Sequence, residues 1–256
     1  MSKDSKANLV RYLSEEKRFD GRKLEEFRPI EIEYGVSKTA EGSARVKIGD
    51  TEVIAGIKME IGKPFPDTPD EGALMVGTEL LPLSSPEFEA GPPGIEAIEM
   101  ARVVDRGLRE SKAIDNKKLC VKKGEKVWII SVDICTINDN GNLLDVSGLA
   151  AIAALKVTKF PEFDGERIDY KKHTKESVPL LKVPIPVTVF KLRGKYFVDP
   201  TSAEEKDYDA RLTITTIEDG TICALQKGGD SPLSIEDVDA MVSLATRKAG
   251  EIRKNL

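Results

Sequence analysis

An α+β fold built from two copies of one unit, four strands and a helix, is what the sequence predicts. Three observations carry that expectation. Runs with apolar residues at every second position recur in both halves of the chain. Glycine-containing two-residue turns such as Gly49-Asp50, Arg193-Gly194 and Asp219-Gly220 join several of them as hairpins. Each half also holds a segment with the 3- and 4-residue apolar spacing of an amphipathic helix. An extra strand and helix close the first half. The recurrence is one of element order, without visible sequence self-similarity.

The first helix is expected over Ala7–Glu16, polar apart from Leu9, Val10, Tyr12 and Leu13, and stopped by the charged turn Arg18-Phe19-Asp20-Gly21-Arg22. Pro29–Val36 alternates Ile30, Ile32 and Tyr34 with Glu31 and Glu33, the pattern of a half-buried strand. Ala44–Ile48 and Glu52–Ile61 flank the Gly49-Asp50 turn, and Ala73–Leu83 is the fourth strand after a loop with three prolines. A second proline-rich stretch, 81–94, leads into a helix over Ile95–Lys112. Lys126–Ile137 reads as a long buried strand, followed by the turn Asn138–Asn142 and an alanine-rich helix over Leu144–Thr158.

Lys159–Pro186, with its charge run and Pro161, Pro179, Pro184 and Pro186, reads as a linker. Strands return at Val187–Leu192, Lys195–Val198, Arg211–Ile217 and Thr221–Gln226. A last helix starts at Ser234, capped by its hydroxyl with Asp237 completing the box, and carries the stripe Val238, Met241, Ala245, Ala249 and Ile252. The expected organisation is an N-terminal helix and extension (1–28), a first half (29–158), a linker (159–186) and a second half (187–256).

Composition narrows the chemistry. The 256 residues include 39 Lys and Arg against 44 Asp and Glu, a net charge of −5, which excludes a globally basic nucleic-acid binder but not a local basic stripe. The longest apolar run, Leu149–Leu155, is far too short to span a bilayer, and the opening MSKDSKANLV has no apolar stretch of the secretory kind. Cys120, Cys135 and Cys223 are odd in number and widely spaced, as expected of reduced core thiols in the cytoplasm. His173 is the only histidine, so neither a Cys/His zinc site nor a Ser-His-Asp device is expected.

Three segments could carry function. On the Ile95–Lys112 helix, Arg102, Arg106 and Arg109 fall within an arc of about 60°. Ala97, Ile98, Ala101, Val104 and Leu108 are expected to face the core. The arginines form either a solvated face paired with Glu99, Asp105 and Glu110, or a stripe for a polyanion, since the guanidinium fork suits phosphate. The turn Asn138–Asp145 has the strand–glycine–helix geometry of a phosphate cradle, but Leu143 and Leu144 stand where donors are wanted and Asp145 competes with an anion. The loop Asp199–Asp209 holds five acids, readable as a Mg²⁺ or acid–base cluster or as a plain acidic loop. Lys227-Gly228-Gly229-Asp230 lacks the rest of a P-loop.

The chain resembles the RNase PH-type proteins over nearly its whole length, and specifically their non-catalytic ring subunits in the archaeal exosome. The residues that carry the resemblance are Arg18–Arg22, Gly42-Ser43-Ala44 with Gly49-Asp50-Thr51, the run Met100–Lys112, and Asp139-Asn140-Gly141-Asn142-Leu143, in that order and spacing. It implies an RNase PH-like, ribosomal-protein-S5-domain-2-like fold. Active members release nucleoside diphosphates from RNA 3′ ends with inorganic phosphate, held by an Asp-Gly-Gly-Ser/Thr-Arg turn. Here Asn142 stands at the Ser/Thr and Leu143 at the arginine. The loop Asp199–Asp209, where active members carry a catalytic aspartate, is about two residues shorter.

The resemblance therefore implies a silent subunit with no catalytic residues, no metal and no cofactor of its own. Phosphate, and Mg²⁺ where needed, would be used by a partner. Implied partners are a catalytic RNase PH-type exosome subunit in a trimer of heterodimers, S1/KH-type cap subunits, and single-stranded RNA gripped by Arg102, Arg106 and Arg109; Lys112 is a weaker extension of that stripe. The expected location is cytoplasmic. Rival readings are an active phosphorolytic 3′–5′ exoribonuclease, a metal-dependent hydrolase using Asp199–Asp209 that would be lost on changing Asp207 or Asp209, and a purely structural ring member.

Overall fold

The computed structural model describes residues 3–256, with side chains from residue 6 onward. The expected N-terminal extension begins with residues 1 and 2, which lie outside the described residues. Helix α1 (Lys3–Ser14) buries Leu9 and Leu13, and the chain reverses at Glu16 in the left-handed region, φ 57°, so the helix ends two residues before the expected Glu16. The first sheet contains β1 (Ile30–Tyr34), β2 (Gly42–Ile48), β3 (Thr51–Gly62), β4 (Ala73–Glu79), β5 (Cys120–Lys122) and β6 (Lys126–Asn138). Its order is β1-β2-β3-β6-β4, with β5 paired to β6.

Strand β6 belongs to the extra strand and helix expected to close the first half, yet it lies inside the sheet. It runs antiparallel to β3 and parallel to β4. A parallel pair needs a long crossover, and helix α2 (Ile95–Glu110) lies within it. Val127, Ile130, Val132 and Ile134 of β6 are fully or almost fully buried.

Helix α3 (Leu143–Lys156) fills the space between the sheets. Every residue from Leu143 to Leu155 is buried, as a helix apolar on all sides requires. It packs on β2 and β3 and, opposite, on β9 (Ile185–Leu192). Gly148 makes this approach possible: a Cβ there would stand 2.3 Å from Cγ of Pro186. The second sheet has the antiparallel order β10-β9-β11-β12, with β10 (Lys195–Val198), β11 (Ala210–Thr216) and β12 (Ile222–Gly228). Helix α4 is the short Ser202–Glu205, and α5 (Ile235–Ile252) packs on β9 and β11. The Ser234–Asp237 capping box is present, and the core continues through both halves.

The stretch 159–186, expected as a linker, is different. It holds an antiparallel ribbon of β7 (Lys159–Phe163) and β8 (Ile168–Ser177), and Ile185 already belongs to β9. Phe160 and Phe163 anchor the ribbon edge-on to Trp128, with ring centroids 5.6 and 5.7 Å away. A two-stranded ribbon has a free edge on each strand, so Pro161 fits without breaking a ladder, and solvent on β8 removes the apolar alternation.

Candidate nucleic-acid interface

Helix α2 follows Pro92-Pro93-Gly94 and buries Ala97, Met100, Val103, Val104, Gly107 and Leu108. Arg102, Arg106 and Arg109 are exposed on the opposite side. The core arc is rotated from the expected one. Ile98, expected inside, is 49 % exposed, and Ala101 is only half-buried, because Met100, Val103 and Gly107 take the inward positions. Gly107 lets the helix lie against Thr215 of β11.

The acids expected to neutralise the arginines do so for one of the three. Asp105 and Glu110 lie 3.1 and 3.7 Å from Arg109. Glu99 instead accepts a 2.9 Å hydrogen bond from Arg211 of β11. Among the described residues, Arg102 and Arg106 have no carboxylate within 4.0 Å. Lys112 stands past the helix end in the left-handed region, φ 53°, and does not prolong the stripe.

The turn 139–142 has the backbone of an anion cradle filled by the protein's own side chains. Asp139 Oδ1 accepts the Gly141 N–H at 2.9 Å. Gly141 has φ 82°, and a Cβ there would stand 2.5 Å from the Pro200 carbonyl, so only glycine fits. The Asn142 N–H at the mouth of α3 donates to Glu205 Oε2 at 2.8 Å. A carboxylate of this chain thus sits where the helix dipole favours an anion. Burial pushes the Glu205 carboxyl up to about 7, against the Asn142 N–H that lowers it.

From the other side, Arg28 donates through Nη1 to the Asn140 carbonyl (2.8 Å) and through Nη2 to the Gly141 carbonyl (3.2 Å). Leu143 and Leu144 join the core. Asp145, expected to compete at the turn, is buried against β9, where it accepts the Thr188 N–H (3.1 Å) and hydroxyl (2.7 Å).

The acidic loop is also largely internal, contrary to the exposed loop favoured by its composition. Asp199 is fully buried with φ 48° and accepts from Arg28 Nη2 (2.6 Å), Arg22 Nη1 (2.8 Å) and Asn142 Nδ2 (2.9 Å). Glu204 is fully buried and accepts from Arg18 Nε (2.8 Å) and Nη2 (2.5 Å). Burial pushes its carboxyl up, but Arg18 and the Thr201 and Phe19 N–H groups outweigh it and hold it at about 2. Asp209 accepts the Arg193 N–H at 2.7 Å. Among the described residues, no group of three or more His, Cys, Asp or Glu is placed to hold a metal ion. Sequence reading missed Arg18, Arg22 and Arg28 as the clamp on this loop; the two arginines of Arg18-Phe19-Asp20-Gly21-Arg22 were the available signal.

Asp145 sets a pH dependence. Its carboxyl is pushed from 3.8 to about 7 by burial, against the Thr188 hydrogen bonds. The folded state therefore holds the proton more tightly than the unfolded chain. That stability is fully present below about pH 4 and is lost as pH rises through about 7, up to about 4 kcal/mol at ~1.4 kcal/mol per unit. Asp145→Asn keeps an acceptor for the Thr188 N–H and removes the titration. Thermal melts at pH 5 and pH 8 are expected to differ less for the variant than for the native chain; an equal difference contradicts this. Glu205 titrates in the same direction, so the dependence is reduced, not abolished.

The two sheets with α3 between them, and the arginine helix α2 beside them, make an RNase PH-like α+β fold. The chain belongs to the 3′ exoribonuclease family: residues 26–161 match its domain 1 and residues 182–248 its domain 2. It is 48 % identical over 240 residues to exosome complex component Rrp42 of Methanocella arvoryzae, covering 93 % of this chain and 90 % of that protein. It is 46 % identical over 257 residues to Rrp42 of Thermococcus kodakarensis, covering 97 % and 93 %. A chain in the structure of the Archaeoglobus fulgidus exosome with RNA bound to the active site superposes with a TM-score of 0.91 at 45 % identity, covering 98 % of this chain and 97 % of that one. Among the described residues no helix is long and apolar enough to cross a membrane.

Proposed function

We propose that this chain is the non-catalytic RNase PH-type subunit of an archaeal exosome ring, which holds single-stranded RNA through Arg102, Arg106 and Arg109 while a homologous subunit performs 3′–5′ phosphorolysis. The observation that carries this reading is the turn 139–142: Glu205 takes the anion position at α3, and Leu143 is packed into the core. A cradle occupied by an internal carboxylate and lacking the arginine has nothing left to orient an attacking orthophosphate. Arg102 and Arg106 on the outer face of α2, without a carboxylate partner among the described residues, support the RNA contact. The relatives named Rrp42 and the RNA-bound exosome of Archaeoglobus fulgidus support the assembly.

The partners are the catalytic RNase PH-type subunit in a trimer of heterodimers, S1/KH-type cap subunits and RNA, and the location is cytoplasmic. The subunit uses no cofactor; phosphate, and Mg²⁺ where needed, serve its partner. The arginine clamp on Asp199 and Glu204 counts against a hydrolase built on that loop. Co-expression with the catalytic homologue tests the assembly: the native mass is expected to be that of three copies of each chain. Chains that elute separately at micromolar concentration contradict it.

A further inference from the structure

The β7–β8 ribbon carries a feature that the RNA-binding helix does not explain. Strand β8 is twice as long as β7, and the excess is taken up by bulges: Pro161 pairs with His173, while Glu162 pairs with Asp169 and Lys159 with Ser177. Bulges at a sheet edge turn side chains outward. Residues 169–173 and Lys175 are all exposed as a result.

Three of the ribbon's five acids are engaged. Glu162 and Asp169 lie 3.8 and 3.6 Å from Lys172. Asp164 accepts the Glu166 and Arg167 N–H groups. Glu176 lines the groove beside Trp128, and among the described residues neither it nor Glu166 has a basic side chain within 4.0 Å. Lys118, which lines the same groove as Phe160 and Thr174, is paired with Asp115. Among the described residues, Lys171, His173 and Lys175 have no carboxylate within 4.0 Å. Tyr170, also exposed, adds a ring with Lys58 Nζ 4.7 Å above it. Lys171 and Lys175, unpaired on an extended edge beside the Tyr170 ring, make the kind of surface that a single-stranded nucleic acid tracks.

We propose that β8 is a second, sequence-independent contact for single-stranded RNA, made by Lys171 and Lys175 with His173 between them. The inference rests on RNA being this chain's ligand. The ribbon and α2 are separate elements, so RNA long enough to reach both gains from the second contact through effective concentration, and short RNA does not.

The test uses the full chain and fluorescein-labelled oligoadenylates of 10 and 40 nucleotides, titrated at several salt concentrations. K171E/K175E is expected to weaken the 40-mer at least about fivefold and to lower its salt slope by about 1.4, at ~0.7 per phosphate, with the 10-mer unchanged. K171Q/K175Q is expected to act in the same direction with half that effect or less, and it covers a failure of the reversal variant to fold. Unchanged 40-mer binding overturns the inference, as does loss of a protein partner from the assembled complex without loss of RNA. R102E/R106E is the parallel arm. Loss of binding there alone sinks only the ribbon contact; no loss in either variant sinks the RNA reading itself.

Discussion

Reversing both unpaired arginines of α2 is expected to weaken RNA binding by the assembled complex by about 10- to 100-fold near 0.1 M salt. Arg102 and Arg106 are exposed, without carboxylate partners among the described residues, and opposite the face that holds the helix in place. R102E/R106E therefore removes two phosphate contacts and adds two repulsive charges without touching the core. The variant's melting temperature is expected to stay within a degree or two, because exposed substitutions of this kind shift stability by about 0.5 kcal/mol or less. The slope of log K against log salt is expected to fall by at least about 1.4, at ~0.7 per single-strand phosphate. All RNA sequences are expected to be affected alike, since backbone contacts read no bases. Arg109, already shared between Asp105 and Glu110, is expected to give a smaller effect alone. Fluorescence anisotropy at four salt concentrations measures both quantities. An unchanged affinity removes α2 from the RNA path and leaves a structural ring member.

The second large effect is on stability. Arg28→Met is expected to cost about 3–5 kcal/mol, the usual loss when one member of a buried ion pair is removed. Asp199 is fully buried and would keep only Arg22, Asn142 and the residue-28 N–H, and the Asn140 carbonyl would lose its side-chain donor while Gly141 keeps the Thr51 hydroxyl. In a chain of this size the melting temperature is expected to fall by roughly 10 °C. R28M/D199N is expected to be less destabilised than the sum of the two single variants by more than about 1 kcal/mol, as coupled neighbours are. Differential scanning calorimetry reads the result. A drop below 2 °C for Arg28→Met would mean the clamp is not what closes the turn.

Much of this was legible from residue spacing. The period of α2 put three arginines on one face, and the structure leaves them exposed there. The rotation of its core face was not legible: Ile98 satisfies the apolar spacing, but the positions that contact sheets and α3 are those of Met100, Val103 and Gly107. Hairpin turns located the antiparallel strands, while β6 could not be placed from its own sequence, since a parallel neighbour separated by a helix leaves no local mark. The ribbon at 159–177 was hidden because its stability comes from Trp128, which lies outside it.

At the turn, the missing arginine was visible as Leu143, but what fills the space was not. Arg28 and Asp199 are 171 residues apart, and Asn142 and Glu205 are 63 apart, so no local pattern links them. The acids of 199–209 looked like surface for the same reason. The counter-charges of Asp199 and Glu204 come from Arg18, Arg22 and Arg28 at the other end of the chain.

The proposed silence of this chain depends on its own groups filling the turn at the start of α3 and so closing it to orthophosphate. Incubating the purified chain alone with poly(A) and inorganic phosphate, and following ADP release by chromatography, tests it most directly. No ADP above a no-enzyme control is expected, with release appearing only when the catalytic homologue is added. Sustained ADP production by this chain alone, dependent on phosphate and lost on Gly141→Ala, would contradict it.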